Sequence, residues 1–337
     1  MPTRATRSRG IPVSKRSIND IDPILDRALA VNAARRFYLD DQSKVQIADE
    51  LGVSRFKVAR LLESAREWGI VNITIADDGV VDEALSAALR DQLGLRRVVV
   101  VGASGNEDDV RRTVGRAAAT LLTQTLQDGE TLGMGWGRTL GATAEAIDDL
   151  PRISVVQLTG ATEMTPDLSP VEIVRRIGLR SGGDVLPLFA PLVADDVATA
   201  RAFRKQSDIA RVLERHEQVT TAVMAVGSWN PPSSQLYDVL APDVRQDLVD
   251  RGAVAEIGVT MLDTLGREMA PDFADRCVGV TTDRLRATPR VIAVAASAAK
   301  SEAVLALARS GLISELVVDS ALAGAALALG GRTAADS

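Results

Sequence analysis

Histidine and cysteine are almost absent from this chain of 337 residues, which contains one of each, His216 and Cys277. A single cysteine excludes an intrachain disulfide and is typical of a protein from a reducing cytoplasm. No histidine lies near Cys277 in the sequence, which favours a buried structural thiol over a nucleophile. His216 lies in the charged segment 211–217, which predicts a solvated side chain rather than a catalytic base.

Aromatic residues and long apolar runs are also scarce. Phe, Trp and Tyr make up 3% of the chain, so its interior must consist mainly of Ala, Val, Leu and Ile. No stretch approaches the roughly 20 apolar residues of a membrane span, and the basic amino terminus lacks the apolar core of a signal peptide. We therefore expect a cytoplasmic protein without a membrane partner, and the length predicts about two domains.

Residues 47–59 have the pattern of two helices joined by a tight corner, Ile-Ala-Asp-Glu-Leu-Gly-Val-Ser-Arg-Phe-Lys-Val-Ala. Ala48 lies where the second helix would cross the first, a position that admits only a small side chain. Gly52 fits a corner with positive φ, and Ser54 is a typical N-cap for the second helix. The pattern predicts a helix-turn-helix, and hence a DNA-binding protein.

The flanking residues complete a DNA-binding domain over residues 21–76. A preceding helix, over about residues 23–39, supplies apolar side chains for a three-helix core: Leu25, Leu29, Ala33, Phe37 and Tyr38. Gly69 ends the second helix of the pair. Residues 70–75 alternate like a short strand and form a candidate wing.

Polar and cationic side chains collect at the start of the predicted recognition helix, where we expect them to be exposed. They suit phosphates and base edges in a major groove. The predicted DNA contacts are Ser54, Arg55, Phe56, Lys57 and Arg60. Helix pairs of this kind also occur in ordinary helical domains and in modules that bind other proteins, and the pattern alone leaves those alternatives open.

Charge is distributed unevenly along the chain. Residues 1–76 contain 13 Lys and Arg against nine Asp and Glu, whereas the remainder contains 26 against 36. The first 19 residues carry five cations and no acid. We predict a disordered basic arm over residues 1–20, which is either a solvated tail or a segment that lies on DNA phosphates.

The remainder, residues 77–337, alternates apolar strands with amphipathic helices. Strands are predicted at residues 98–101, 131–134, 153–158, 185–188, 221–226, 291–295 and 316–318, with helices at about 108–127 and from residue 139. Continuous apolar strands of this kind predict an α/β domain with a doubly wound, Rossmann-like parallel sheet. Such sheets bind ligands at the carboxyl ends of their strands.

Small and polar residues follow these predicted strands. The clearest group is a glycine-rich turn before a helix, formed by Gly135, Trp136, Gly137, Arg138 and Thr139. Its backbone N–H groups could approach an anion, although many strand–helix corners need glycine for geometry alone. Other strand ends add Gln157, Thr159, Gly160, Gly227, Ser228 and Lys300. Together they suggest a small anionic polyol, most simply a phosphorylated sugar.

Several short motifs occur together in this chain. They are residues 33–38 (Ala-Ala-Arg-Arg-Phe-Tyr), the helix-turn-helix through residues 68–71 (Trp-Gly-Ile-Val), and segments 135–140, 190–192, 227–228, 252–257, 291–294 and 308–313. As a set they resemble the SorC family of sugar-sensing bacterial transcriptional regulators. The resemblance covers nearly everything after the basic arm.

The resemblance implies an effector domain similar to sugar-phosphate isomerases and glucosamine-phosphate deaminases. In the family pattern the glycine-rich turn and Lys300 face the effector, and Gln157, Glu256 and Asp319 are weaker matches. Residues 295–297, Ala-Ala-Ser, stand where the family usually has a Gly-Gly pair. Asp319-Ser320 replaces a usual Asp-Glu.

We therefore predict a DNA-binding regulator of carbohydrate metabolism whose affinity for operator DNA depends on a sugar or sugar-phosphate effector. It would act as a homodimer or homotetramer, with no cofactor, no metal site and no catalytic residue. The alternative is a sugar-phosphate isomerase or deaminase with an attached DNA-binding domain, because fold does not fix function. No spacing of carboxylates singles out an acid/base pair, which favours the regulator.

Overall fold

The computed structural model describes residues 23–71, 79–162 and 169–335. The chain divides into two compact units, Met1–Ile75 and Ala76–Ser337. The predicted basic arm, the side chain of Leu25 and most of the candidate wing lie outside the described residues. Within the described residues, no helix is both long and apolar enough to cross a membrane.

Three helices form the first unit. They are α1 (Pro23–Tyr38), α2 (Lys44–Leu51) and α3 (Arg55–Glu67). Ser43 caps α2, because its hydroxyl accepts a hydrogen bond from the Gln46 N–H while the Gln46 side chain accepts one from the Ser43 N–H. The helix ends at Gly52, whose φ of 64° is unfavourable for a residue with a Cβ atom.

One apolar core joins these three helices. Its fully buried members are Ala30, Ala33, Ala34, Ile47, Ala48, Val58, Leu61, Leu62 and Ala65. Helix α3 packs against both α1 and α2. Alanine predominates on α1, which lets the helices approach closely and keeps the core small.

The second unit contains twelve helices within the described residues. They are α4 (Glu83–Leu93), α5 (Glu107–Thr125), α6 (Arg138–Ala146), α7 (Pro170–Ser181), α8 (Val197–Lys205), α9 (Ser207–Arg215), α10 (Gln235–Val239), α11 (Pro242–Asp250), α12 (Pro271–Asp275), α13 (Thr282–Ala287), α14 (Ser301–Arg309) and α15 (Ser320–Ala335).

Eleven strands accompany these helices in the same described part of the chain. They are β1 (Arg97–Val101), β2 (Thr131–Met134), β3 (Ser154–Gln157), β4 (Val185–Leu186), β5 (Thr221–Trp229), β6 (Pro232–Ser233), β7 (Ala255–Ile257), β8 (Thr260–Leu262), β9 (Glu268–Met269), β10 (Arg290–Ala295) and β11 (Glu315–Asp319).

Seven strands form a parallel sheet in the order β1-β11-β10-β5-β2-β3-β4. Alternate residues of β10 divide between two apolar clusters: Val291 and Ala293 belong to one, and Ile292 and Val294 to the other. The sheet is therefore covered on both faces, which is why its strands are apolar without alternation. The predicted mixed α/β architecture with a mainly parallel sheet is confirmed.

An antiparallel extension of the sheet was missed by the sequence analysis. Strand β5 pairs in parallel with β2 and β10 up to residue 225, and its last residues pair antiparallel with β6 and β7. Strands β8 and β9 continue the extension from β7. Strands β6 to β9 are only two or three residues long, too short for hydrophobic periodicity to reveal them.

The order of the strands reverses between β2 and β5, which are neighbours in the sheet. From β2 the chain continues through β3 to β4 at one edge, and from β5 it continues through β10 to β11 in the opposite direction. Open α/β sheets bind ligands beyond the carboxyl ends of the strands at such a reversal.

Candidate functional site

A small, polar pocket lies at this reversal, beyond the carboxyl ends of β2 and β10 and beside the second half of β5. The lining residues are Arg111, Trp136, Gly137, Arg138, Thr139, Met224, Ala225, Val226, Gly227, Ser233, Ser234, Gln235, Glu256, Gly258, Ala296 and Lys300. The pocket thus joins the parallel sheet to its antiparallel extension.

Helix α6 begins at the wall of the pocket. Gly137 precedes it with a φ of 142°, and no side chain caps the helix, so its first backbone N–H groups face the pocket region without a capping group. A Cβ atom at Gly137 would lie 2.8 Å from Ala225 Cβ, and one at Gly135 would lie 2.9 Å from Met224 Sδ. The glycines are therefore needed for the turn to pack directly on β5.

Three cationic side chains line the pocket. Arg111, from α5, forms ion pairs with Glu107 and Asp108, which offset much of its charge. Arg138, at the start of α6, is half-buried and forms no hydrogen bond with any described residue. Lys300 is the third. The positive charge that remains for a ligand therefore comes mainly from Arg138 and Lys300.

Lys300 follows the 3₁₀ turn Ala298–Lys300 and immediately precedes α14. Its Nζ donates a hydrogen bond to the Val226 carbonyl oxygen of β5, 2.5 Å away. Burial lowers the pKa of Lys300 to about 8, and the negative charge of Glu256 opposes that shift. At neutral pH the side chain is therefore still mostly protonated.

Glu256 is a buried carboxyl group on the opposite, antiparallel side of the pocket. It accepts hydrogen bonds from Trp229 Nε1 and Ser234 Oγ, both at 2.5 Å. Burial raises the pKa of Glu256, while these two donors and Lys300 act in the other direction. Gly227 lies against it: a Cβ atom there would be 2.6 Å from Glu256 Cγ.

Six of the predicted effector residues do not line the pocket. They are Gly135, Gln157, Thr159, Gly160, Ser228 and Asp319. The Gln157 side chain forms its hydrogen bonds with backbone groups. Its Nε2 donates to the carbonyls of Thr159 and Leu188, and its Oε1 accepts from the Leu188 N–H. A Cβ atom at Gly160 would lie 2.5 Å from the Pro191 carbonyl oxygen, so this glycine permits a close backbone contact.

Asp319 supports the turn that carries Lys300, whereas Ser228 bonds within the loop that follows β5. Asp319 accepts hydrogen bonds from the backbone N–H groups of Ser297, at 2.8 Å, and Leu322, at 2.9 Å. It thereby holds Ser297 at a φ of 90°, which is unusual for a residue other than glycine. The Ser228 hydroxyl donates to the carbonyl of Pro231 at 2.9 Å.

The expectation of a solvated His216 is wrong. Its side chain is 4% exposed, and Nε2 lies 2.9 Å from the Gln157 carbonyl oxygen. Burial lowers the pKa of His216. Residues 211–217 are charged, but the helical part of the segment ends before His216, in a short 3₁₀ turn that directs the ring inward.

Cys277 is buried, and its thiol donates to the Phe273 carbonyl oxygen at 3.3 Å. Burial raises the pKa of Cys277 to about 12, so the thiol is not activated as a nucleophile. In the parts of the chain that the structure describes, no cluster of His, Cys, Asp or Glu side chains could hold a metal ion.

Four polar or charged lining residues were not predicted from the sequence: Arg111, Ser233, Ser234 and Gln235. Arg111 lies in the first turns of α5, which follows β1, a strand on the far side of β10 and β11 from the pocket. The other three follow the end of β5, where the sequence pattern predicts only Gly227 and Ser228 as effector residues. The serine pair after a proline was the signal that could have found them.

A second cationic surface lies at the start of α3 in the first unit. Ser54 caps α3, with its hydroxyl accepting from the Lys57 N–H. Arg55 and Arg60 are exposed, and Phe56 is 76% exposed. Lys57 differs from the expectation of exposure, because it is half-buried and its Nζ binds Asp26 Oδ1 of α1 at 2.7 Å.

Known proteins with related sequences are transcriptional regulators. Residues 81–328 match the family model Sugar-bind, which describes a sugar-binding domain. The chain is 28% identical over 314 residues to the uncharacterized transcriptional regulator YjhU of Escherichia coli strain K12, covering 90% of this chain and 93% of that protein. It is 27% identical over 297 residues to the deoxyribonucleoside regulator of Bacillus subtilis strain 168, covering 86% and 94%.

The fold also has a counterpart among solved structures. The crystal structure of the full-length sorbitol operon regulator SorC from Klebsiella pneumoniae matches with a TM-score of 0.68 at 22% sequence identity. The match covers 90% of this chain and 99% of that chain. At this identity the likeness shows the fold.

Proposed function

The chain belongs to the Sugar-bind family, and from this premise we propose that it is a SorC-type transcriptional regulator whose binding to operator DNA is controlled by a sugar or a sugar phosphate. The sugar phosphate would occupy the pocket at the reversal of strand order. The relatives named above are regulators, which favours this function over the isomerase or deaminase alternative.

The proposal that the ligand is an anion rests on the cationic side of the pocket. Arg138 has no hydrogen-bonding partner among the described residues, and Lys300 is bound to a carbonyl rather than to a carboxylate. The start of α6 adds backbone N–H groups and the positive end of a helix dipole. A phosphate placed between them would satisfy all three groups at once.

The opposite side of the pocket offers hydrogen-bonding groups for hydroxyls. Ser233, Ser234 and Gln235 line it, and Glu256 presents a carboxyl group whose oxygens can accept further hydrogen bonds beyond those from Trp229 and Ser234. A polyol with one anionic end fits this arrangement better than an apolar ligand. The predicted effector residues that line this pocket are residues 136–139 of the glycine-rich turn, Gly227, Glu256 and Lys300.

We propose α3 as the recognition helix of a helix-turn-helix. The small core, the positive φ of Gly52 and the capped start of α3 support that assignment, and Arg55, Phe56 and Arg60 face solvent at or near its start. Lys57 would contact DNA only after leaving Asp26, so its contribution should be smaller than that of Arg55.

The regulator would act as a homo-oligomer that places two recognition helices on half-sites about 34 Å apart. Effector binding would favour one arrangement of the subunits and change operator affinity by a coupling of about 1–3 kcal/mol. The similarity of the effector domain to sugar-phosphate isomerases stays a prediction.

Ligand binding to the pocket can be tested with a thermal-shift screen of free and phosphorylated sugars. A ligand at 100 times its Kd should stabilise the fold by about 2.7 kcal/mol. Lys300→Ala should weaken a phosphorylated ligand by about 10- to 100-fold, because a charge-assisted hydrogen bond is lost. Lys205→Ala, on the exposed end of α8, is the matched control. A stabilising ligand that both variants bind equally well would contradict this assignment.

DNA binding can be tested by fluorescence anisotropy with the promoter of the chain's own gene. Arg55→Ala should weaken specific binding by about 1–3 kcal/mol and leave effector binding intact. Arg66→Ala removes an exposed arginine at the other end of α3 and serves as the control. Equal losses from both variants would mean that α3 does not read DNA through its first turn.

A further inference from the structure

An aromatic side chain is exposed at the start of α3. Phe56 is the second residue of this helix and is 76% exposed. The buried stripe of the helix consists of Val58, Leu61, Leu62 and Ala65. At about 100° of rotation per residue, Phe56 lies on the side of α3 opposite to that stripe. Phe56 therefore takes no part in the core that joins the three helices.

The surface around Phe56 is cationic. The Arg55 guanidinium lies 5.7 Å from the centroid of the Phe56 ring, in a cation–π contact. Arg60 follows one turn later on the same face of the helix. It is exposed and forms no hydrogen bond or ion pair with any described residue. The positive charge on both sides of the ring matches a polyanion, so the ring lies inside the surface that DNA would cover.

The chemistry of the ring restricts what it can recognise on DNA. A phenyl group has no hydrogen-bond donor or acceptor, so Phe56 cannot bind phosphates or base edges as polar side chains do. The base edges in the major groove present donors and acceptors and one apolar group, which is the C5 methyl of thymine. The minor groove presents no methyl group. If α3 lies in the major groove, the thymine methyl is therefore the base group that suits this ring.

We propose that Phe56 contacts the C5 methyl group of a thymine in the major groove, and that each half-site of the operator therefore requires thymine at one position. The inference rests on the proposed function of α3 as the recognition helix, and it names the base group that one side chain of this helix reads. Arg55 and Arg60 supply attraction to the phosphates, whereas Phe56 supplies a preference for sequence.

The test removes the methyl group from the DNA rather than from the protein. The promoter of the chain's own gene is prepared with thymine and with uracil, which lacks only the C5 methyl and pairs with adenine in the same way. Fluorescence anisotropy then gives the affinity of the full-length chain for both forms. The ratio of the two affinities should be larger for the wild type than for Phe56→Ala, by about fourfold for each methyl group contacted. Effects of uracil on DNA shape are common to both proteins and cancel in this comparison.

Leu39→Ala is the matched control. Leu39 follows the end of α1 and is 76% exposed, as is Phe56, so both variants remove an exposed apolar side chain from the same unit. The control should keep the wild-type ratio. Phe56→Ala should melt at the wild-type temperature, because the ring lies outside the core. Uracil placed at one position at a time should locate the effect at a single thymine in each half-site.

Two results would overturn the proposal, and they differ in what else they overturn. Specific binding to the promoter with the same ratio for the wild type and Phe56→Ala would show that Phe56 does not read a thymine methyl, and the DNA-binding function would stand. A wild type that binds the promoter no better than unrelated DNA of equal length would overturn that function, and the role of Phe56 with it.

Discussion

Gly227→Ala should destabilise this molecule through a single added methyl group. Gly227 lies within β5 and does not have a positive φ, so alanine is not strained by backbone conformation. Its Cβ atom would overlap the Glu256 side chain, with Cγ at 2.6 Å and the carboxyl atoms closer. Glu256 would have to move by about 1 Å to reach ordinary contact, which would break its hydrogen bonds to Trp229 and Ser234.

The expected cost follows from those contacts. Overpacking costs about 1–3 kcal/mol, and each lost hydrogen bond to a buried carboxylate adds about 1.5–3 kcal/mol before relaxation. We expect a loss of about 3 kcal/mol in the free energy of unfolding, measured by urea denaturation followed through tryptophan fluorescence. The control is the double variant Gly227→Ala/Glu256→Ala. In the Glu256→Ala background, Gly227→Ala should lower the free energy of unfolding by less than about 1 kcal/mol, because the side chain that it overlaps is absent. Equal costs in both backgrounds would refute the proposed overlap.

Three further predictions concern the same region. The pKa of Lys300 is lowered to about 8, so the side chain loses its proton as the pH rises through 8. The affinity for an anionic effector, measured by calorimetry, should therefore fall above pH 8 in the wild type and stay constant from pH 7 to 9.5 in Lys300→Met. A wild-type affinity that does not depend on pH would contradict this. Ser297→Gly should raise the free energy of unfolding by about 1 kcal/mol, because it removes a positive φ from a residue with a Cβ atom, and a loss in a thermal melt would contradict that reasoning. Gln157→Leu should lower the free energy of unfolding by about 2–4 kcal/mol and leave the effector affinity unchanged, because the Gln157 amide forms hydrogen bonds only with the backbone. A loss of effector affinity without a loss of stability would show that Gln157 contacts the ligand.

The parallel sheet could be read from the sequence because each of its longer strands is a continuous apolar run. The predicted strand at residues 131–134 coincides with β2, and the strands at 98–101 and 291–295 each differ from β1 and β10 by one residue at one end. The glycine-rich turn could also be predicted, because a turn that packs directly against β5 leaves no room for side chains at Gly135 and Gly137.

The remaining features depend on contacts between distant residues. Lys57 appears cationic and free in the sequence, and only the fold brings Asp26 to it across 31 positions. Gln157 looks like a ligand-binding amide at a strand end, but the Leu188 backbone reaches it first. Arg111 belongs to a helix that follows a distant strand, so nothing local connects it with the pocket. Side-chain partners of this kind are set by tertiary packing rather than by spacing.

A single strand, β5, belongs both to the parallel part of the sheet and to its antiparallel extension, and the polar groups that line the pocket are divided along that boundary. Groups suited to the anion, Lys300 and Arg138, follow strands of the parallel sheet, while Ser234, Gln235 and Glu256 belong to the antiparallel part. If the pocket binds a sugar as proposed, substitutions in residues 230–260 would change which hydroxyl groups are recognised without disturbing the parallel sheet.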